Sequence, residues 1–247
     1  MRVLALDTTT RAGSVALVDD DRIVEERSGD ESRPYATRLP GDVTALLAAC
    51  GLRVGDVDLF AVASGPGSFT GMRIGIATIQ GFAFVGQRPV VAVSALEALA
   101  QLASADGVAG DLVAAWMDAH RREVFSALYR VGARGLYDDD RLVEIDGPAV
   151  GDPVSTIERW NDRLTGGALT VIGDGAALYG PALDRASSAS CRVLPAPLLA
   201  GAIGRIAVER ARRGRTVGPG GVQPLYVRRP DAEVAREAKA INRGGGV

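Results

Sequence analysis

Histidine is nearly missing from this chain of 247 residues: His120 stands alone. A two-histidine metal site, a zinc-protease motif or a histidine-paired dyad beyond that one residue cannot be built from it. Lysine is as scarce, Lys239 being the only one, and it lies in Glu237-Ala238-Lys239-Ala240. A Walker P-loop needs Gly-Lys-Ser/Thr, so there is none, and Schiff-base chemistry is implausible for the same reason. Cys50 and Cys191 are the only cysteines and follow no metal or redox spacing, which suits a reducing cytosol. No signal peptide precedes Val3 and no apolar run reaches spanning length, so a cytoplasmic protein without a membrane partner is expected. The formal net charge of −2 gives no strong pull toward nucleic acid or membrane as a whole. An esterase elbow is excluded too, because Pro66 and Thr70 stand where Gly-x-Ser-x-Gly around Ser68 would need glycine.

Glycine, by contrast, is abundant and concentrated where it matters. Leu59 to Ser64 reads as a buried strand and runs into Gly65-Pro66-Gly67-Ser68-Phe69-Thr70-Gly71-Met72-Arg73-Ile74-Gly75. Gly65 and Gly67 permit backbone angles a side chain would forbid, Ser68 or Thr70 can cap the helix that follows, and its free N–H groups would suit an anion. From Gly71 to Val85 that helix is apolar on nearly every face. Gly71, Gly75 and Gly81 together cost about 3 kcal/mol against alanine, so something must compensate. The helix either turns one face to a second protein or is buried wholly in its own domain, and the pattern does not choose. If the Gly75 face is the interface, Gly75→Arg is expected to leave a folded monomer that no longer pairs.

Taken in order, the first part reads as three strands, helix, strand, helix, strand, helix. Arg2 to Asp7, Ser14 to Val18 and Arg22 to Arg27 form a meander, followed by a helix with Leu39, Val43, Leu46 and Leu47 on one face and Pro40 in its first turn. The strand from Leu59, the apolar helix, Pro89 to Val93, and a helix capped by Ser94 complete it. A new strand, Leu112 to Met117, ends in Asp118, and here the chain echoes itself. Asp7 is followed nine and ten residues later by Ala16-Leu17, and Asp118 at the same offsets by Ala127-Leu128. Two lobes of like topology are expected, facing each other across a cleft, each offering a hairpin turn to a phosphate. Asp7 and Asp118 would hold a metal-bound nucleotide or a water there, or simply cap their own turns. Leu169 to Ile172 then runs into a second glycine turn, Gly173-Asp174-Gly175, where an adenosine would lie. Helices are expected after Pro153 and from Leu198 to Arg212, and a final short strand at Leu225 to Val227. The division expected is a first lobe at 1–104, a second, degenerate one at 105–228, and a loose tail at 229–247.

The opening Val3-Leu4-Ala5-Leu6-Asp7-Thr8-Thr9-Thr10, the Gly65 to Gly75 stretch, Asp118-Ala119-His120-Arg121-Arg122-Glu123-Val124-Phe125 and Gln223-Pro224-Leu225-Tyr226-Val227-Arg228 resemble the TsaB family, also called YeaZ. The resemblance runs from Val3 to about Arg228. It implies an α/β, two-lobed actin-like or sugar-kinase-like ATPase fold with duplicated β-β-β-α-β-α lobes that has lost its own catalysis. It also implies a scaffold and activator role for a TsaD-like catalytic paralogue, with a TsaE-like ATPase, in forming threonylcarbamoyladenosine beside the anticodon of tRNA. No cofactor of its own is implied, with ATP and magnesium entering through the complex, and tRNA is met only indirectly. The family's first-lobe helices make the pairing. Carried over, that points to Leu39, Val43, Leu46, Leu47, Met72, Gly75, Ile76 and Ile79, and to a homodimer through the same face when the partner is missing. Asp7, Thr8, Thr9, Gly65, Gly67, Ser68, Asp118, Gly173 and Gly175 keep the shape of a nucleotide and phosphate cleft. One departure is Pro34-Tyr35-Ala36, where many members carry His-Ser. An active ATP-dependent small-molecule kinase of the same fold and a glycopeptidase-type metalloprotease are the competing functions, the second opposed by the lone histidine.

Overall fold

The computed structural model describes residues 1–164 and 168–228, so the tail expected at 229–247 lies outside the described residues. An unbroken apolar run makes β1 (Arg2–Asp7) a strand buried on both sides from Val3 onward. It pairs antiparallel with β2 (Ser14–Asp19) and parallel with β4 (Leu59–Gly65), so that Ala5 lies opposite Ala16 on one side and Ala61 on the other. With β3 (Arg22–Ser28) and β5 (Val90–Ser94) these strands form a five-stranded sheet in the order β3-β2-β1-β4-β5. Leu4, Leu6, Leu17, Phe60 and Val62 project to one face, which α1 (Tyr35–Ala49) and α2 (Phe69–Gly86) cover.

The second half repeats this order. After α3 (Ala95–Ala103), β6 (Leu112–Asp118), β7 (Val124–Val131), β8 (Leu142–Gly151), β9 (Ala168–Ile172) and β10 (Ser190–Leu194) make a sheet ordered β10-β9-β6-β7-β8. The third, second, first, fourth and fifth strands of each half are therefore neighbours in that sequence, and the two-lobed, duplicated α/β architecture is as expected. The echo is one of topology and not of residue-by-residue register. Asp7 pairs with Ser14 across one turn, whereas Asp118 pairs with Val124 across a turn one residue shorter. The helices α4 (Pro153–Trp160) and α5 (Asp174–Ala186) pack on the outer face of this sheet around Trp116 and Trp160.

Between the two sheets lies one shared core. It holds the small inward residues Val3, Ala5, Ala16, Ala61 and Ala63 of the first sheet and Ala115, Met117 and Ala127 of the second. Packed with them are α3 and α6 (Ala200–Arg212). Although α6 follows the second sheet in sequence, inside the range 105–228 expected for the second lobe, it packs on β1, β2, β4 and β5 of the first. Its glycines explain the close seat: a Cβ on Gly204 would stand 2.6 Å from Val18. Ser14 Oγ takes the N–H groups of Leu199 and Ala200 at 3.2 and 2.9 Å, and Glu26 takes that of Gly201 at 2.8 Å, so first-sheet side chains satisfy the helix start. Two further expectations are corrected. The first helix begins at Tyr35, so Pro40 falls past its first turn, on an exposed side. Leu225 to Val227 does not form a strand: Leu225 N–H meets Ser64 O, and the chain bends at Val227. No helix among the described residues is long and apolar enough to cross a membrane.

Candidate functional site

The cleft between the lobes has a volume of about 1060 Å³ and is lined from both halves and from the C-terminal segment. Its first wall is built by glycine. Gly65 has φ 117° and Gly67 φ 151°, values that side chains avoid. A Cβ on Gly67 would lie 2.5 Å from Thr9 O, one on Gly71 2.2 Å from Thr8 O, and one on Gly75 2.2 Å from Thr8 Oγ1. The backbone that these glycines admit is thus the first hairpin turn, held against the start of α2. Ser68 caps that helix, its Oγ accepting Gly71 N–H at 3.2 Å. Asp7 is buried beneath the turn and accepts Thr9 N–H at 2.8 Å and Thr9 Oγ at 2.6 Å. Burial pushes the Asp7 carboxyl above its ordinary value, against those two hydrogen bonds.

On the second wall, Asp118 accepts the N–H of His120 at 2.9 Å and lies 3.1 Å from His120 Nδ1. His120, Arg121 and Arg122 in this turn have φ of 57°, 54° and 64°, three consecutive left-handed residues without a glycine. Gly173, with φ 123°, packs on Trp116 O, which an added Cβ would approach to 2.1 Å. The start of α5 is occupied by its own residue: Asp174 Oδ1 accepts Gly175 N–H at 2.8 Å and Asp118 N–H at 3.0 Å. That carboxylate puts negative charge where a phosphate would approach the helix start.

The third contribution was not read from the sequence. Tyr226 meets Phe69 in a tilted ring contact at 5.3 Å, centroid to centroid, and Arg73 lies over Phe69 at 4.0 Å while donating Nε to Tyr226 Oη at 2.8 Å. Arg228 donates Nη1 to Ala119 O at 2.7 Å and pairs with Glu123. Contacts over such sequence separations leave no periodic trace; the only signal was the aromatic and basic character of Gln223 to Arg228.

Of the residues expected at a nucleotide cleft, Thr9, Gly67, Ser68 and Asp118 line it, while Asp7, Thr8, Gly65, Gly173 and Gly175 support its walls from behind. Both aspartates cap their own turns. Arg11 and Arg33 line it from the first lobe and Asp118 and Asp174 from the second, and no nucleophile paired with a base is among the lining groups described above. Among the described residues no group of three or more His, Cys, Asp or Glu is placed to hold a metal ion.

The residues expected to make the pairing are buried in the chain by itself. Leu39, Val43, Leu46 and Leu47 of α1, and Met72, Gly75, Ile76 and Ile79 of α2, are all buried, Met72 at the cleft that it lines and the others within their own lobe; Ile76, at 6 %, is the most exposed of the apolar side chains among them. Gly75 faces Thr8, so an arginine there would disrupt the fold instead of sparing it. The outward rows lie one step round each helix. On α1 they are Ala36, Pro40, Thr44 and Ala48 with Gly41 and Ala45; on α2, Arg73, Ala77, Gly81, Phe84 and Val85. Phe84 is 76 % and Val85 87 % exposed, and a Cβ on Gly41 or Gly81 would meet nothing within 4 Å. Exposed helix rows with a single charge among them are unlike an ordinary solvent face.

The family model of TsaD, tRNA N6-adenosine threonylcarbamoyltransferase, matches residues 29–161. The tRNA threonylcarbamoyladenosine biosynthesis protein TsaB of Escherichia coli is 34 % identical over 232 residues, 92 % of this chain and 95 % of that protein. The TsaB of Haemophilus influenzae is 32 % identical over 92 % of this chain and 94 % of its own length. The solved structure of YeaZ from Pseudomonas aeruginosa superposes with a TM-score of 0.73 at 32 % identity, covering 91 % of this chain and 99 % of that one.

Proposed function

Since the chain belongs to the TsaB (YeaZ) family of tRNA threonylcarbamoyladenosine biosynthesis proteins, we propose that it is the non-catalytic scaffold and activator of the threonylcarbamoyl-transferase complex. Its partner is a TsaD-like catalytic paralogue, joined by a TsaE-like ATPase, and tRNA is met through the assembled complex. The observation that carries the reading is the outward face of α1 and α2, with its uncharged row at Ala36, Pro40, Thr44 and Ala48 and its apolar end at Phe84 and Val85. Alanine, glycine and threonine there let a second helix pair approach closely, and the two exposed side chains supply the large contacts that hold an interface. Without the paralogue, the same face pairs two copies of this chain. The site supports the non-catalytic reading in two ways: Asp7 is spent on Thr9, and one histidine cannot supply a metal-binding pair. ATP and magnesium act in the complex, not at a resident site of this chain.

Reconstituted modification of tRNA by the TsaD-like and TsaE-like proteins of the same genome tests this. Omitting this chain is expected to abolish threonylcarbamoyladenosine formation, and Gly81→Arg to fail to restore it although folded. Full modification without the chain overturns the proposal. Rapid ATP turnover by the pure chain would instead support the kinase reading.

A further inference from the structure

Gln223–Arg228 begins on one lobe and ends on the other. Leu225 donates its N–H to Ser64 O at 2.7 Å, and its carbonyl lies where a Cβ on Gly65 would come within 2.8 Å. Tyr226 is then fixed between Phe69 and Arg73, all on the first lobe. Arg228 crosses to the second, where it bonds Ala119 O, pairs with Glu123 and lies 5.5 Å over the Phe125 ring. The lobes are otherwise joined through the core around α3 and α6, against which Val227 of this segment also packs, so the segment adds a second connection at the cleft, which Leu225 through Arg228 line.

Its two fastenings are unequal. The first-lobe end combines a backbone hydrogen bond, a tilted ring contact and the Arg73 contacts. Among the described residues the second-lobe end is the Arg228 side chain alone, on Ala119 O, the Phe125 ring and Glu123, and the ion pair with that glutamate, which is 38 % exposed, is weakened by salt. The turn receiving it is the one with three left-handed residues, a conformation that persists only where its surroundings impose it.

We propose that Gln223–Arg228 is a releasable strap that sets the opening of the cleft. With Arg228 seated, the chain itself fixes the spacing of its lobes, a task that a ligand gripped by both walls would otherwise perform. With Arg228 released, the Ala119–Glu123 turn relaxes and the second lobe swings about the α3–α6 core. The inference does not rest on the identity of the pairing partner.

Cys50 at the end of α1 and Cys191 in β10 place one thiol in each lobe and are the only cysteines, so the full chain can carry a spin label in each. Pulsed electron resonance is expected to show a narrow distance distribution in the wild type and a broader, longer one in Arg228→Ala. Amide exchange across Ala119–Glu123 should quicken about tenfold in that variant. Tyr226→Phe, which loses only the hydroxyl, should keep the wild-type distribution. A folded Arg228→Ala with unchanged distances and exchange overturns the proposal. Should Arg228→Ala not fold, the wild type at about 1 M salt, where screening reaches ~3 Å, takes its place, and an unchanged distribution there overturns it equally.

Discussion

Two glycines six residues apart on α2 should respond in opposite ways to the same added methyl group. At Gly75 a Cβ would stand 2.2 Å from Thr8 Oγ1 and 3.0 and 3.1 Å from Thr8 Cγ2 and Cβ. Thr8 is fully buried and short, so it has no flexible end to move aside, and its hydroxyl already lacks a partner among the described residues. Overpacking of this kind costs about 1–3 kcal/mol, and a contact this close belongs at the upper end. Against it stands a helix-propensity gain of about 1 kcal/mol, leaving Gly75→Ala destabilised by about 2 kcal/mol. At Gly81 nothing lies within 4 Å, so Gly81→Ala keeps the whole gain of about 1 kcal/mol. In a domain of this size each kcal/mol moves the melting temperature by about 2–4 °C. Thermal melts followed by circular dichroism should therefore show Gly75→Ala lower by about 4–8 °C and Gly81→Ala higher by about 2–4 °C. A Gly75→Ala that melts at or above the wild type would refute the assignment of that glycine to the turn contact.

The remaining expectations address the turn carboxylate, the α6 cap and the outward face. Because the Asp7 carboxyl is raised in the fold, folded chains hold its proton at pH values where unfolded chains have released it. Stability therefore falls as pH rises from the ordinary carboxylate value through the raised one, and Asp7→Asn should flatten that slope; denaturant midpoints from pH 4 to 7 that slope alike in both would contradict this. Ser14→Ala leaves the N–H groups of Leu199 and Ala200 without their acceptor and should cost about 1–2 kcal/mol in urea denaturation, a neutral result being contrary. Val85→Asp, on a side chain 87 % exposed, should leave the melting temperature within about 1 °C of wild type while weakening pairing roughly 100-fold, about 2.7 kcal/mol; calorimetric titration reads both partners.

Much of the fold was legible because the signals were local. The unbroken apolar run from Val3 to Leu6 marked a buried strand, Ser68 and Ser94 were readable as caps, and the repeated strand-Asp-turn-strand order announced two like lobes. The orientation of α2 was not legible, for a physical reason. With apolar or small residues on nearly every face, its pattern does not distinguish Met72, Ile76 and Ile79, which point inward, from Ala77, Phe84 and Val85, which point out. Only the sheet beneath, with Leu6, Phe60 and Val62, decides that. The return of α6 to the first sheet and the Arg73–Tyr226 bond, made across 153 residues, were hidden because side chains so far apart in sequence share no period. At the cleft, glycine pointed to the right loops. Gly65, Gly173 and Gly175 lie where an added Cβ would meet neighbouring backbone or the Met72 side chain, a close packing of chain segments that no spacing in the sequence announces.

The most direct test of pairing through the outer α1–α2 face is sedimentation velocity of this chain mixed with the TsaD-like protein of the same genome, with ATP and magnesium, beside the same mixture made with Gly81→Arg. The account expects a heteromeric species that replaces any homodimer with the wild type, and separate species with the variant. No heteromer under any nucleotide condition, or a variant that pairs as well as the wild type, would contradict it.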